Sequence, residues 1–161
     1  MNTQVIKMKK PYGKLLDQDV IGLLYKQVME GWNKGIGQAF AESFSPDADL
    51  VGFDGTRITG RAQIAEFHQK LFNTYVKGSR LVGKIRSVRF LSPTISIVHA
   101  VGGTVMAGQS DIDPERNSIQ TIVVTKSTNK WSIAAFQNTR VQYIGRPELC
   151  EALTDELRKE L

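Results

Sequence analysis

The chain has 161 residues, of which 41% are hydrophobic and 23% charged, and this composition excludes a disordered or fibrous protein and fits one domain with a core. No apolar run reaches the roughly 18 residues of a membrane-spanning helix, and the first ten residues lack the apolar stretch of a signal peptide, so we expect a cytoplasmic protein with no membrane partner. The formal net charge of +5 raises the possibility of nucleic-acid binding, but no reading helix or stacking platform accompanies the cations. We therefore expect no nucleic-acid partner and keep such binding as a third reading, which predicts a steep salt dependence.

The first half of the chain predicts helices and short strands. Asp17 and Asp19 suit a helix N-terminus, and apolar residues at helical spacing continue to Trp32. The predicted elements are an arm over residues 1–15, a helix from 17 to 32, a short helix over 39–44 that stops at Ser45-Pro46-Asp47, strands over 48–54 and 57–59, and a helix from Gly60 to Tyr75. The apolar stripe of that last helix consists of Ile64, Phe67, His68, Leu71, Phe72 and Tyr75.

The second half predicts long strands followed by a helix. In the first strand the apolar residues change phase by one position, which predicts a β-bulge near Arg86 or Ser87. The predicted elements are strands over 81–91, 95–106, 118–126 and 131–143, a polar loop over 107–117, a hairpin turn at Ser127-Thr128-Asn129, and a C-terminal helix from Pro147 to Leu161. This order of elements predicts an α+β fold with helices on one face of a bent sheet.

The strand over 131–140 begins with apolar residues and ends with polar ones, as expected where a sheet passes from dry core to a cavity or an interface. Alternation divides its side chains between two faces. One face holds Trp131, Ile133, Ala135 and Gln137, and the other holds Ser132, Ala134, Phe136, Asn138 and Arg140. The sequence leaves open which face points inward. If Phe136 and Asn138 face a pocket, Gln137 drops out of the site.

Several stretches of the sequence together resemble the NTF2-like superfamily, also called SnoaL-like or cystatin-like, and most closely its SgcJ/EcaC type of small bacterial proteins. They include Gly31-Trp32-Asn33, Asp47-Ala48-Asp49-Leu50-Val51, the stretch from Gly60 to His68, Ile97-Val98-His99-Ala100, Trp131 to Arg140, and Arg146-Pro147-Glu148. The resemblance implies a cone-shaped, bent antiparallel sheet wrapped around N-terminal helices, a C-terminal helix, a pocket, and a homodimer through the sheet. We expect a flexible arm over 1–15, the domain over 16–145, and a helix over 146–161 that packs on the domain or on a dimer partner.

Proton-transfer enzymes of the fold resembled here place a histidine or carboxylate at the pocket floor, so the candidate catalytic residues are His99, His68 and Asp54. His99 shares a predicted strand face with three apolar residues, where it is either a pocket base or a hydrogen-bonded core histidine. His68 lies in the apolar stripe of a helix, where it is either a catalytic base or a buried histidine with a structural hydrogen bond. Asp54 precedes Gly55 and is otherwise a turn residue.

Polar and aromatic candidates for ligand binding are Trp32, Phe44, Phe53, Phe67, Gln120, Gln137 and Asn138. The amides would orient a carbonyl or hydroxyl group, or would form hydrogen bonds across a dimer, whereas the aromatic residues form either pocket wall or core. We assign Arg140 to an interface ion pair rather than to an anion site. Two histidines without a short spacing predict no metal site, and the lack of a Gly-x-Gly-x-x-Gly motif predicts no nucleotide cofactor.

The leading hypothesis from these residues is a pocket for a small, largely apolar organic molecule, with cofactor-independent acid–base chemistry of isomerase, cyclase or hydrolase type. Its basis is the insertion of polar residues into otherwise apolar faces. The alternative is a non-catalytic module that binds a ligand or assembles through its sheet. The fold does not choose between them, because this architecture carries many unrelated activities.

Overall fold

The computed structural model describes residues 15–161, so most of the predicted N-terminal arm lies outside the described residues. The helices and strands follow the predicted α+β order. They are α1 (Asp17–Lys34), α2 (Gly37–Ala41), β1 (Phe44–Val51), β2 (Arg57–Thr59), α3 (Arg61–Asn73), β3 (Arg80–Ser92), β4 (Ile95–Val105), a 3-10 turn (Pro114–Arg116), β5 (Ser118–Ser127), β6 (Lys130–Arg140) and α4 (Pro147–Arg158).

The six strands form one curved, open sheet in the order β2-β1-β6-β5-β4-β3. Four neighbouring pairs run antiparallel, as predicted. The pairing of β1 with β6 is parallel, which differs from the predicted antiparallel sheet in this one place. The parallel pairing sets Leu50 beside Phe136, so two apolar side chains from opposite ends of the chain meet in the core.

The predicted end of the second helix is wrong, because the strand β1 begins at Phe44 and runs through Ser45-Pro46-Asp47. Phe44 pairs with Ile133 of β6, and the amide of Ile133 donates a hydrogen bond to the carbonyl of Ser43 at 2.8 Å. The register between the two strands is irregular between Phe44 and Asp49. Such an irregularity accommodates Pro46, which has no amide hydrogen to contribute to a regular ladder.

The helix α1 spans the sheet and begins and ends as the sequence predicts. Asp17 and Asp19 lie in its first turn, where carboxylates interact favourably with the helix dipole. Gly35 ends it at a φ of +66°, a left-handed conformation that suits glycine. Ile21 and Val28 are buried on its inner side, so this helix covers the sheet and forms part of the main core.

Two strands carry β-bulges that change which side chains face the helices. In β3 the pairing with β4 passes from Ile85 directly to Ser87, which confirms the predicted bulge at Arg86. In β6 the pairing with β5 passes from Ile133 to Ala135 and skips Ala134. The inner face of β6 therefore changes from odd-numbered residues at Trp131 and Ile133 to even-numbered residues beyond the bulge.

A second, smaller core lies on the other side of the sheet, under α4. Leu153 and Leu157 of α4 are buried there against Val101 and Val105 of β4. The other two leucines of the predicted stripe, Leu149 and Leu161, remain exposed. The helices among the described residues do not combine the length and apolar composition that crossing a membrane requires.

Candidate functional site

A cavity of about 480 Å³ lies between the helices and the inner face of the sheet. A volume of this size holds a small organic molecule. Its lining is mostly apolar, and it includes exposed residues at the mouth and buried residues further in. The lining comprises Val28, Met29, Trp32, Phe40, Leu50, Gly52, Phe53, Asp54, Thr56, Ile58, Phe67, His68, Leu71, Tyr75, Val76, Leu81, Val82, Gly102, Thr104, Arg116, Ser118, Gln120, Phe136, Asn138 and Arg140.

At one end the cavity is bordered by an aromatic cluster from α1, α2 and α3, which we call the aromatic end. It consists of the lining residues Trp32, Phe40 and His68 and of Phe72, which packs against them. The His68 ring stacks on Phe40 with 4.0 Å between ring centroids and an interplanar angle of 23°. Trp32 meets Phe72 edge to face at 5.2 Å, and its indole nitrogen donates to the hydroxyl of Ser79 at 3.0 Å. Packing on three sides therefore fixes the orientation of the histidine ring.

The hydrogen bonding of His68 determines its tautomer. Its Nδ1 lies 2.8 Å from the carbonyl oxygen of Ile64 one helical turn earlier, and only a protonated Nδ1 can donate to that oxygen. The hydrogen is thus on Nδ1, and Nε2 is an acceptor that has no partner among residues 15–161. Burial lowers the pKa of His68 to about 4, although the hydrogen bond to Ile64 acts in the opposite direction. At neutral pH His68 is an uncharged ring with a free lone pair.

The other end of the cavity, which we call the polar end, is defined by the lining residues Ser118, Gln120, Asn138 and Arg140 together with the buried Tyr25, which forms a hydrogen bond with Gln120. The hydroxyl of Tyr25 donates to Oε1 of Gln120 at 3.1 Å, and Nε2 of Gln120 donates to Oγ of Ser118 at 2.7 Å and to Oδ1 of Asn138 at 3.2 Å. Burial raises the pKa of Tyr25, so its hydroxyl stays protonated. Because Asn138 accepts through its oxygen, its Nδ2 is left as a donor without a partner in the described part of the chain.

Two arginines border the polar end. The guanidinium of Arg140 lies 3.8 Å from the centroid of the Phe53 ring, and its buried Nε has no hydrogen-bond partner. Arg116 also lines the cavity and forms an ion pair with Asp113 at 3.2 Å. Burial lowers the pKa of Arg140, and the positive charge of Arg116 lowers it further. The arginine side chains give this part of the lining a positive charge.

Six of the predicted site residues come together on the lining, namely Trp32, Phe53, Phe67, His68, Gln120 and Asn138. Asp54 also lies on it, at the exposed mouth. Its Oδ1 accepts from the backbone amide of Thr56 at 3.0 Å, and this hydrogen bond lowers the pKa of Asp54. The geometry of Asp54 is that of a turn residue whose carboxylate is ionised at neutral pH.

The predicted inward orientation of His99 and Gln137 is wrong, because both side chains are exposed on the outer face of the sheet. On β4 the even-numbered residues Ser96, Val98 and Ala100 are buried inward. The odd-numbered face is also apolar because α4 covers part of it, so alternation alone did not identify the inner face. On β6 the bulge at Ala134 turns Gln137 outward and Asn138 inward, and the alternative left open for this strand is therefore the correct one.

Phe44 is a core residue and not part of the cavity lining. It is 1% exposed and packs between Phe40 and Phe136, with ring centroids 6.0 and 5.9 Å away. The pocket-wall alternative for Phe44 is therefore wrong, because the cavity is lined by the two neighbouring rings, those of Phe40 and Phe136, and not by Phe44 itself.

The sequence did not indicate Arg116 and Arg140 as lining residues, or Tyr25 as the hydrogen-bond partner of Gln120. Arg140 was assigned to an interface, whereas its side chain lines the cavity. A signal for it was present: the apolar residues of β6 change from Trp131 and Ile133 to Phe136, which is the same one-residue phase shift that predicted the bulge in β3. Arg116 ends the 3-10 turn Pro114–Arg116, which is too short for a periodic pattern to indicate the direction of its side chains.

Comparisons with known proteins agree with this architecture. No family model matches the chain, and no curated protein matches it either. Among solved structures, a domain of unknown function with a cystatin-like fold from Nostoc punctiforme is 35% identical, with a TM-score of 0.79 over 87% of this chain and 86% of that one.

More distant solved structures share the fold at lower identity. A protein from Novosphingobium aromaticivorans, provisionally named a scytalone dehydratase, is 14% identical with a TM-score of 0.66 over 78% of this chain and 85% of its own. A ketosteroid isomerase-like protein from Erwinia carotovora is 15% identical with a TM-score of 0.60 over 77% of this chain and 95% of its own. With the identity to the Nostoc domain and the curved sheet described above, these comparisons show that the chain belongs to the NTF2-like superfamily of cystatin-like fold.

Proposed function

We propose that the cavity binds a small, largely apolar organic molecule and that His68 performs acid–base chemistry on it. The observation that carries this proposal is the uncharged His68 ring, which lines an apolar cavity and keeps Nε2 free of partners within residues 15–161. An apolar cavity with a few oriented polar groups is the usual form of a small-molecule site. A homodimer and a cytoplasmic location remain expectations of this proposal.

The reaction we propose is proton abstraction next to a carbonyl group, without a cofactor. Nε2 of His68 would accept the proton from the carbon next to the carbonyl group, and the protonated ring would return it to another carbon of the same molecule. A base with a pKa of about 4 is weak, so the substrate must have an activated C–H bond. The names of the dehydratase and isomerase-like neighbours support chemistry of this type, although they describe those proteins only.

Binding and chemistry are tested with 2-tetralone, a neutral bicyclic ketone with acidic protons beside its carbonyl. Titration calorimetry should detect binding to the wild type. The substitution Leu71→Trp, which places an indole on the lining, should weaken binding about tenfold or more, whereas Leu149→Trp on the exposed side of α4 should not. Equal binding by all three proteins would place the ketone outside the cavity.

The acid–base step is followed by nuclear magnetic resonance in D₂O, where exchange of the protons next to the carbonyl of 2-tetralone is measured. We expect acceleration by the wild type, loss of it in His68→Gln, and retention in His99→Gln, which changes a histidine that points away from the cavity. Binding without accelerated exchange would mean that the protein binds the ketone without acting on it, and would refute the proposed enzymatic activity. Acceleration that survives His68→Gln would assign the step to another group.

A second candidate function, assembly through the sheet, has separate support on its outer face. On β4, β5 and β6 the outward side chains at the centre of that face have no formal charge, so two identical faces would meet without like-charge repulsion. These residues are Ile97, His99, Thr121, Val123, Ala135 and Gln137. Sedimentation equilibrium should give a dimer at micromolar concentration, and Val123→Asp should give a monomer. A wild-type monomer would contradict this assembly.

A further inference from the structure

We propose that the ligand of this cavity carries an anionic group, a carboxylate or a similar oxyanion, that binds Arg140 while the apolar body of the ligand lies toward His68. The inference rests on the proposed function, because it names the class of molecule that the same cavity takes. It assigns to Arg140 the anion site that the sequence analysis ranked below an interface ion pair.

The first support is the bonding of Arg140, which is incomplete. Its Nε is buried without a hydrogen-bond partner, and no ion pair joins the guanidinium to an acid within residues 15–161. A buried polar N–H without a partner is costly, and this cost falls on Nε of a side chain that is otherwise half-buried. The Phe53 ring supports one face of the guanidinium at 3.8 Å from the ring centroid, which leaves its edges for hydrogen bonds.

The second support is the balance of charge on the lining. The lining contains two arginines, Arg116 and Arg140, and one carboxylate, that of Asp54, whose Oδ1 already accepts a hydrogen bond from the amide of Thr56. Asp113 is paired with Arg116, and Glu115 is exposed. Asp113 and Glu115 attract Arg140 without forming an ion pair with it, whereas burial and the charge of Arg116 act against its positive charge. A bound anion would offset both unfavourable contributions.

The third support is a neutral donor on the same surface. Asn138 lies two residues before Arg140 on the inner face of β6, and its Nδ2 is free because Oδ1 accepts from Gln120 at 3.2 Å. The planar guanidinium and this amide together present several N–H groups, which suits the oxygens of a carboxylate. Charge and donor geometry therefore favour an oxyanion over a neutral carbonyl at this end.

The test compares 2-naphthoate with 2-naphthamide, two probes of nearly equal size that differ in charge. Titration calorimetry on the wild type should give at least about tenfold tighter binding of the naphthoate, and sodium chloride should weaken that preference. Arg140→Gln should remove the preference, because it should weaken the binding of naphthoate much more than the binding of naphthamide. Arg140→Lys keeps the positive charge but lacks the planar guanidinium, so its preference for naphthoate should be smaller than that of the wild type. This variant replaces Arg140→Gln in the test if the glutamine variant does not fold.

The matched control is Arg89→Gln, which removes an exposed arginine on β3 that is not part of the lining, and it should keep the full preference for naphthoate. Equal affinity of the wild type for the two probes, or a preference that survives Arg140→Gln, would overturn the anion inference. If 2-tetralone binds but naphthoate does not, the inference of an anionic ligand fails, whereas the proposal that the cavity binds a small organic molecule is retained. If none of the three probes binds, the proposed function fails as well.

Discussion

The aromatic end and the polar end of the cavity are held in place by different forces. At the aromatic end, rings from three helices pack on one another, and His68 takes its orientation from the Phe40 ring 4.0 Å away. At the polar end, a chain of hydrogen bonds from Tyr25 through Gln120 to Asn138 orients the side chains. Packing energy depends on buried area, whereas hydrogen bonds depend on direction and charge. Substitutions at the first end should therefore affect stability most, and those at the second should affect ligand choice.

The largest effect is expected from Phe40→Ala at the aromatic end. Phe40 is 4% exposed and contacts the rings of Trp32, Phe44, His68 and Phe72. Removing this ring leaves a void that the neighbouring rings cannot fill, so the free energy of unfolding should fall by about 3 to 5 kcal/mol. Urea denaturation followed by circular dichroism measures the change.

Phe90→Ala is the matched control for this prediction, because Phe90 is 43% exposed at the far side of the core and contacts Trp131 edge to face. Removing the Phe90 ring should lower the free energy of unfolding by about 1 kcal/mol, which is the scale of a single aromatic contact. If the two alanine variants lose the same stability, packing around His68 is not what holds the aromatic end together.

The second prediction concerns the dependence of stability on pH. Burial lowers the pKa of His68 from 6.5 to about 4, so between these values the unfolded chain binds more protons than the folded one. The stabilisation is complete above pH 6.5 and is lost as the pH falls toward 4, by on the order of 3 kcal/mol. His68→Gln removes this titration.

The measurement is the free energy of unfolding at intervals from pH 7.5 to pH 4.5, taken for the wild type and for His68→Gln. Carboxylates whose pKa is lowered, such as Asp49 and Glu156, are present in both proteins and cancel in the difference. The wild type should lose more stability than the variant over this interval. Parallel curves would mean that His68 is as well solvated in the folded protein as in the unfolded one.

The fold was predictable because its signals are local and repeated. Helical spacing located α1 and α3, and the phase shift in β3 located its bulge at Arg86. The start of β1 was not predictable in the same way, because Pro46 normally ends a strand or a helix. It is tolerated here by an irregular pairing with β6, a strand more than 80 residues later in the chain.

The site was only partly predictable, because membership depends on which face of a strand points inward. His68 was identified, since a polar ring within an apolar helix stripe is conspicuous in any register. His99 was placed inside wrongly, because the covering helix α4 makes the outer face of β4 apolar as well. Arg140 was missed because a single bulge at Ala134 reverses the alternation before it.

The smallest expected change in stability comes from substituting Gly83, a glycine of β3 that lies against the polar end. A Cβ atom at Gly83 of β3 would collide with the hydroxyl of Tyr25, so Gly83→Ala should displace that hydroxyl from Gln120 and cost about 1 to 3 kcal/mol. In a Tyr25→Phe background the cost should be smaller, because the colliding oxygen is gone.

Gly22→Ala in α1 is the matched control: nothing lies within 4 Å of its Cβ, so better helix propensity should stabilise the protein by about 0.5 to 1 kcal/mol. Chemical denaturation of the four variants in parallel measures these differences. Equal costs of Gly83→Ala with and without the tyrosine hydroxyl would show that the hydrogen-bond chain at the polar end does not depend on the close approach of β3.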